Sequence, residues 1–141
     1  MKRIAIAFAI IFYLTPMLLY GADKLIVNIP NLCGKTKEQV NNVIGKPKTC
    51  NKNKYRSECD YEIGDIEIVF INNKADWITV NDMKNAEYSK ESLAMLGLPI
   101  KEPDFSTNNS IIWVNLHGLR EVTFFPGTNS IYYVYIKAFT R

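Results

Sequence analysis

Hydrophobic and polar positions alternate along this chain with a period that changes from helical to extended, and the change occurs twice. In the first instance Val40, Val43 and Ile44 fall on one face at helical spacing, after Thr36 and Gln39, which have the side chains of a capping box. Gly45 and Pro47 end that helix. The period then becomes two: Tyr55, Ser57, Cys59, Tyr61 and Ile63 alternate with Arg56, Glu58, Asp60 and Glu62. This predicts a strand with one buried and one wet face. Gly64-Asp65 reads as a hairpin turn, Ile66 to Ile71 as a second strand, Asn72 to Lys74 as a turn and Asp76 to Val80 as a third strand.

The second instance repeats the order. Ser89 takes the cap position, Leu93 and Leu96 form the apolar stripe, and Gly97 to Pro99 stop the helix. Strands are predicted at Ile111 to Leu116, Glu121 to Phe125 and Ser130 to Ala138, with turns at His117-Gly118 and Pro126-Gly127. Gly45 and Pro47 map onto Gly97 and Pro99; Gly64, Glu67 and Phe70 map onto Gly118, Glu121 and Phe124 at nearly the same offset. A supersecondary unit laid down twice produces such a pattern. The expected fold is therefore α+β: two tandem helix–strand–strand–strand units, residues 23–83 and 84–141, with helices packed on an antiparallel sheet as one compact domain.

The leading residues follow a different logic. Lys2 and Arg3 precede an apolar run from Ile4 to Tyr20, and Gly21-Ala22 supplies small residues before Asp23. This is the order of a secretory signal peptide over residues 1–22. An uncleaved single-span anchor is the alternative, since the run approaches spanning length, but Pro16 and the small residues after the run favour cleavage. The first cysteine is Cys33, well beyond the run, so a lipid-anchored product is not expected. The expected location is periplasmic or secreted.

Loss of Lys2 and Arg3 would lower the formal net charge from +3 to about +1. No basic face for nucleic acid is implied. Export permits disulfides. Cys50 and Cys59 flank a polar segment, Asn51 to Glu58, which a bridge would close into a small ring. A Cys33–Cys50 pairing is also open on spacing. In the first case Cys33 is a free thiol: a small buried hydrophobe before the helix, or a reactive group at its start.

Catalytic chemistry finds few residues. His117 is the one histidine of the chain and sits beside a turn glycine, with no nucleophile motif to serve. Cys50 and Cys59 lack metal-ligand spacing, and no phosphate-cradling loop is present. No enzyme activity, metal or cofactor is expected. Aromatic residues stand out instead, with 8 Tyr, 7 Phe and 2 Trp. In Tyr132-Tyr133-Val134-Tyr135 one strand face, through Tyr132, Val134 and Ile136, must be core. The other presents Tyr133, Tyr135 and Lys137, with Trp113 as a neighbour from the adjacent strand. Such a face is either a protein-binding surface or is covered by a helix as ordinary core.

Gly34-Lys35-Thr36 with Gln39 and Val40, the closing Gly45, Cys50 and Cys59, and Gly64-Asp65 together resemble the repeat of the β-lactamase inhibitor protein family. The Gly-x-Thr opening also resembles the SmpA/OmlA (BamE-type) outer-membrane assembly family. The first resemblance implies two tandem units that bind a partner through two turns and an aromatic sheet face. Asp65 would fill the role of the first turn, and His117-Gly118-Leu119, which has no aromatic at its tip, that of the second. A side-by-side packing of the units would put both turns on one edge of the sheet, with Trp113, Tyr133 and Tyr135 between Asp65 and Leu119. The implied function is an inhibitor-like module that binds a secreted or periplasmic enzyme; the second resemblance implies a role in an envelope assembly complex.

Overall fold

Residues 24–83 and 85–140 are described by a computed structural model of the chain; the leader read at residues 1–22 lies outside them. Strand-forming alternation dominates the described residues. It yields β1 (Thr49–Lys52), β2 (Arg56–Tyr61), β3 (Ile66–Ile71), β4 (Lys74–Val80), β5 (Phe105–Ser106), β6 (Ile111–Leu116), β7 (Leu119–Pro126) and β8 (Ile131–Ala138). These form a single eight-stranded sheet in the order β1-β2-β3-β4-β8-β7-β6-β5. Every pairing is antiparallel. Helical structure is confined to α1 (Lys37–Ile44) and short 3-10 segments, of which Lys90–Leu96 is the longest.

The expected α+β arrangement of helices packed on a sheet in tandem units is therefore corrected to a β-dominated fold. The physical reason lies in the two helical stretches themselves. Helix α1 is 8 residues long and fully buries only Val40. Its start is as the sequence predicts, with Gln39 N–H donating to Thr36 Oγ1 at 3.3 Å and Thr36 N–H to Gln39 Oε1 at 2.9 Å. The second stretch does not become an α-helix. Ser89 makes no side-chain cap bond, whereas Ser92 Oγ donates to the Glu87 carbonyl at 2.6 Å. With Gly97 left-handed at φ 69° only seven residues after the start, the segment winds as a tight 3-10 helix.

Two strands escape the sequence pattern. β1 is wholly exposed and too polar to alternate, and β5 is two residues long. β1 is held by register with β2, where Cys50 pairs with Cys59 and the two form a disulfide. Cys33 is the free cysteine, half-buried.

One face of the sheet carries the core. Ile66, Ile68, Phe70, Ile78, Val80, Val122, Phe124, Val134 and Ile136 point into it. Val27, Ile29 and Leu32 cover it from the N-terminal segment, Val40 from α1, and Leu93, Met95 and Leu96 from the 3-10 segment. The β4–β8 seam pairs Ile78 with Ile136 and Val80 with Val134, so the core runs unbroken between the halves.

Replacing Cys50 and Cys59 together by Ser should cost about 2–3 kcal/mol, the constraint of a ring of this size on the unfolded chain. Denaturant unfolding measures the loss. Hydrogen exchange should show β1, which pairs only with β2, deprotected well before β3 and β4.

Candidate functional site

Among the described residues no helix lies over the second face of the sheet, and its central strands set aromatic side chains in a row. Strand alternation puts Ile78 and Val80 of β4 inside, so Trp77 and Thr79 point outward. Trp77 is 39% exposed. Across the seam Trp77 registers with Lys137, and Thr79 with Tyr135. The Trp77 and Tyr135 rings meet edge to face at 5.8 Å between centroids, and Lys137 Nζ lies 5.4 Å from the Trp77 ring centre. Further along β8, Tyr133 stacks on Phe125 of β7 at 4.5 Å, and Tyr132 packs edge-on against Tyr133. The row thus runs Trp77, Tyr135, Tyr133, Phe125, with Tyr132 beside it.

Lys137 is fixed from below. Its ammonium group is ion-paired with Asp76 Oδ2, and Asp76 is only 1% exposed. Asp76 sits at a register shift in β4: Ala75 faces Phe70 while Trp77 faces Val69. The phenol of Tyr135 is held above its ordinary value by burial, with the Glu121 and Asp76 carboxylates adding to the effect. It stays neutral as a hydrogen-bonding group.

Toward β2 the open face becomes acidic. Asp60 and Glu67 are directly opposite each other. Partial burial first, then the neighbouring Glu58 and Asp60, push the Glu67 carboxyl above the ordinary Glu range. Arg56, 3.3 Å from Glu58, relieves part of this charge.

Asp65 and Tyr133 are brought together. Asp65 is exposed at the turn between β2 and β3 with φ 47°, and its carbonyl accepts from Asn81 Nδ2 at 3.0 Å. Asp65, Thr79, Asn81, Tyr132 and Tyr133 line one shallow depression of about 530 Å³. Tyr135 continues the face from there.

The remaining expected site residues lie elsewhere. Trp113 is fully buried, packed edge-on against Phe124 at 4.8 Å, with Nε1 donating to the Lys101 carbonyl at 2.9 Å. It belongs to the core face. Leu119 is also buried, at 3% exposure. His117 is exposed in its turn, with φ 49°. That turn is not on the Asp65 edge. Leu119 pairs with Ala138, whereas Asp65 adjoins Ile66, which pairs with Val80 and through it with Val134. The two turns stand at opposite ends of the strands because β4 and β8 join antiparallel, which rotates one half against the other. Tyr132, expected in the core, is 69% exposed. A register shift at Phe125/Pro126 pairs Ile131 with Pro126 and turns Tyr132 outward.

Trp77, Phe125 and Lys137 complete the face. Alternation along Asp76 to Val80 carried the signal for Trp77: with Ile78 and Val80 inside, it must point out.

Cys33 is chemically quiet. Burial, reinforced by Asp76, pushes its thiol up to about 12, so it is protonated at physiological pH. Among the described residues no group of three His, Cys, Asp or Glu side chains is placed to hold a metal ion. No helix among them is long and apolar enough to cross a membrane. The Cys50–Cys59 bridge is of the kind that persists in oxidising compartments.

No protein-family model matches the chain, and no curated protein matches it. Among solved structures, the fold is similar to an extracellular protein containing a SCP domain from Bacillus anthracis str. Ames, with a TM-score of 0.56 at 10% identity. The match covers 92% of this chain and 50% of that one, so the chain spans about half the length of the structure it resembles. At this identity the likeness concerns the fold alone.

Two predictions test the assignment of faces. Trp113→Ala should destabilise the protein by about 3–5 kcal/mol, whereas Trp77→Ala should cost about 1 kcal/mol, the scale of an aromatic pair at a surface; thermal and denaturant unfolding distinguish them. Glu67→Gln should stabilise the protein at neutral pH by a few tenths of a kcal/mol, roughly the size of a solvent-screened cross-strand like-charge pair. Because the native carboxyl is raised, its ionisation costs stability as pH rises through its folded value. The gain should therefore vanish below about pH 4, where Glu67 is protonated in both states.

Proposed function

We propose that this is an exported protein that acts by binding another protein, through the open aromatic face of its sheet, rather than by catalysis. The observation that carries the reading is the uncovered row Trp77, Tyr135, Tyr133 and Phe125, which adjoins the depression at Asp65. Tyr and Trp with few rotatable bonds bury much area for little lost entropy, and such side chains dominate the energetics of protein interfaces. Here they are also held in place before any partner arrives. Lys137 is locked by Asp76 beneath Trp77, and Tyr133 is stacked on Phe125. Preorganisation of this kind lowers the ordering cost of association.

The face offers a rigid apolar strip with an acidic flank at Glu58, Asp60 and Glu67 and an acidic turn at Asp65. A partner that fits would present an apolar ridge with basic residues on one side. A secreted or periplasmic enzyme bound by inhibitor-like occlusion satisfies this, and agrees with the resemblance of the Gly34–Val40 and Gly64-Asp65 segments to the β-lactamase inhibitor protein repeat. Signal-peptide cleavage after residue 22 is part of the same reading.

The test is comparative capture from an extract of exported proteins. A partner retained by the unmodified chain should be lost with Tyr133→Ala and with Trp77→Ala, and kept with Val43→Ala, on the far side of the sheet. With the partner purified, each aromatic truncation should weaken binding by about 2 kcal/mol, roughly thirtyfold. Equal capture by all three variants would rule the face out as the binding surface.

A further inference from the structure

A basic cleft lies on the other side of the sheet from the aromatic row, at the end of the strands away from Asp65. There the tip of the β1–β2 hairpin, the first turn of α1 and the β3–β4 turn enclose a cleft of about 480 Å³. Its walls are basic, with Lys37 from α1 and Lys52 and Lys54 from the hairpin; Arg56 borders it, but its guanidinium turns to Glu58 on the open face. Among the described residues Arg56 is paired with Glu58 at 3.3 Å, and none of the three lysines forms a salt bridge. The one acid on the lining is Glu38. Its own backbone N–H, then the Thr36 hydroxyl, Asn73 and the Lys37 ammonium, hold its carboxyl below the usual carboxylate range.

The hairpin is built, not loose. Asn53 Oδ1 accepts from the backbone N–H groups of Tyr55 and Arg56 at 2.8 and 3.0 Å. The Cys50–Cys59 bridge ties its base. Tyr55 is 77% exposed at the rim, with Lys54 Nζ 5.6 Å from its ring centre.

We infer that this cleft binds an acidic peptide segment of a partner protein. Charge complementarity names the acidic character: Lys52 and Lys54 line one concavity without a salt bridge among the described residues, and Lys37, beside Glu38, adds to the basic excess. The asparagines on the lining add groups suited to a peptide: Asn72 can donate and accept, and Asn53, whose Oδ1 is taken within the hairpin, keeps its Nδ2 donor. A carboxamide both donates and accepts, as a peptide backbone requires, whereas a phosphate chain presents only acceptors. Nucleic acid would call for a longer basic track, and the cations here are gathered in a single cleft. The site is separate from the aromatic face, and the two can be tested independently.

The experiment is fluorescence anisotropy of a labelled peptide of alternating Glu and Gly, titrated with the disulfide-bonded chain at low salt. Saturable one-to-one binding is expected. The paired substitution Lys52→Gln and Lys54→Gln should weaken it about tenfold or more. The control pair Lys24→Gln and Lys101→Gln has the same net charge and should leave binding unchanged, as should Tyr135→Ala. An unaltered melting temperature shows that the variants fold, and Lys54→Gln alone, at the exposed tip, provides a milder second variant. The inference is overturned if binding does not saturate, if the control pair weakens it equally, or if a Gln-for-Glu peptide binds as well. It is also overturned if a sulfated oligosaccharide or an oligonucleotide of equal charge displaces the peptide at lower concentration than unlabelled peptide does.

Discussion

The pairing of β4 with β8 is the contact on which the rest of the molecule depends. Four residues on each strand are in register there, from Trp77 with Lys137 to Val80 with Val134. Without this seam each half would be a four-stranded sheet with one wet face, a short helical cover and an unprotected edge, which is a marginal structure in water. With it, Ile78 and Ile136 join two small hydrophobic layers into one core, and both vulnerable edges disappear into the middle of the sheet. The same contact assembles the aromatic row, since Trp77 comes from one half and Tyr135 from the other. It also decides what cannot be assembled: an antiparallel seam sends the Asp65 and His117 turns to opposite ends.

A one-residue irregularity in β4 prepares that seam. At Ala75 the strand bonds to the N-terminal segment, with Gly34 N–H donating to the Ala75 carbonyl and Ala75 N–H to that of Lys35, both at 2.8 Å. From Trp77 onward it pairs with β8. Asp76 occupies the switch between these partners, and there the register shifts. A β-bulge at such a point increases local twist and re-aims side chains. The carboxylate is buried, with Oδ2 on Lys137 and Oδ1 without a protein partner. Burial of the pair adds little net stability, but the arrangement determines where Lys137 stands and therefore what packs over Trp77.

Much of this was legible in the sequence, and the failures share a cause. Strict alternation located β2, β3, β6 and β8 to within a residue or two, and the Thr36/Gln39 capping box located α1. The Cys50–Cys59 spacing anticipated the bridge. What alternation could not locate were the strands too short or too polar to show a period, β1 and β5. It also failed wherever a bulge reset the parity. Tyr132 and Val134 are two apart, which alternation places on one face, but the irregularity at Phe125/Pro126 puts Tyr132 in solvent. The second helix was overestimated because an apolar stripe of Leu93 and Leu96 looks alike in an α-helix and a 3-10 segment. Length and the missing Ser89 cap separate them.

The two tryptophans show how the fold divides stability from recognition. Trp77 lies on the central strand β4 and Trp113 on β6, one strand in from the edge, and both are flanked by β-branched or polar residues, so residue type does not distinguish them. Parity does. Trp113 registers with Val122, on the core face, and its indole N–H finds a carbonyl at Lys101, so full burial leaves no donor unsatisfied. Trp77 registers with Val69 and Lys137 on the open face. Its ring is partly exposed and lies against the Lys137 ammonium group. A one-residue slip of either strand would exchange these environments, placing an unpaired indole donor in the core and a core tryptophan in water. The Asp76 bulge and the seam at Ile78–Ile136 prevent the slip in β4. The core thereby keeps the aromatic whose polar group is satisfied inside the protein, and the open face keeps the one whose ring stays partly exposed.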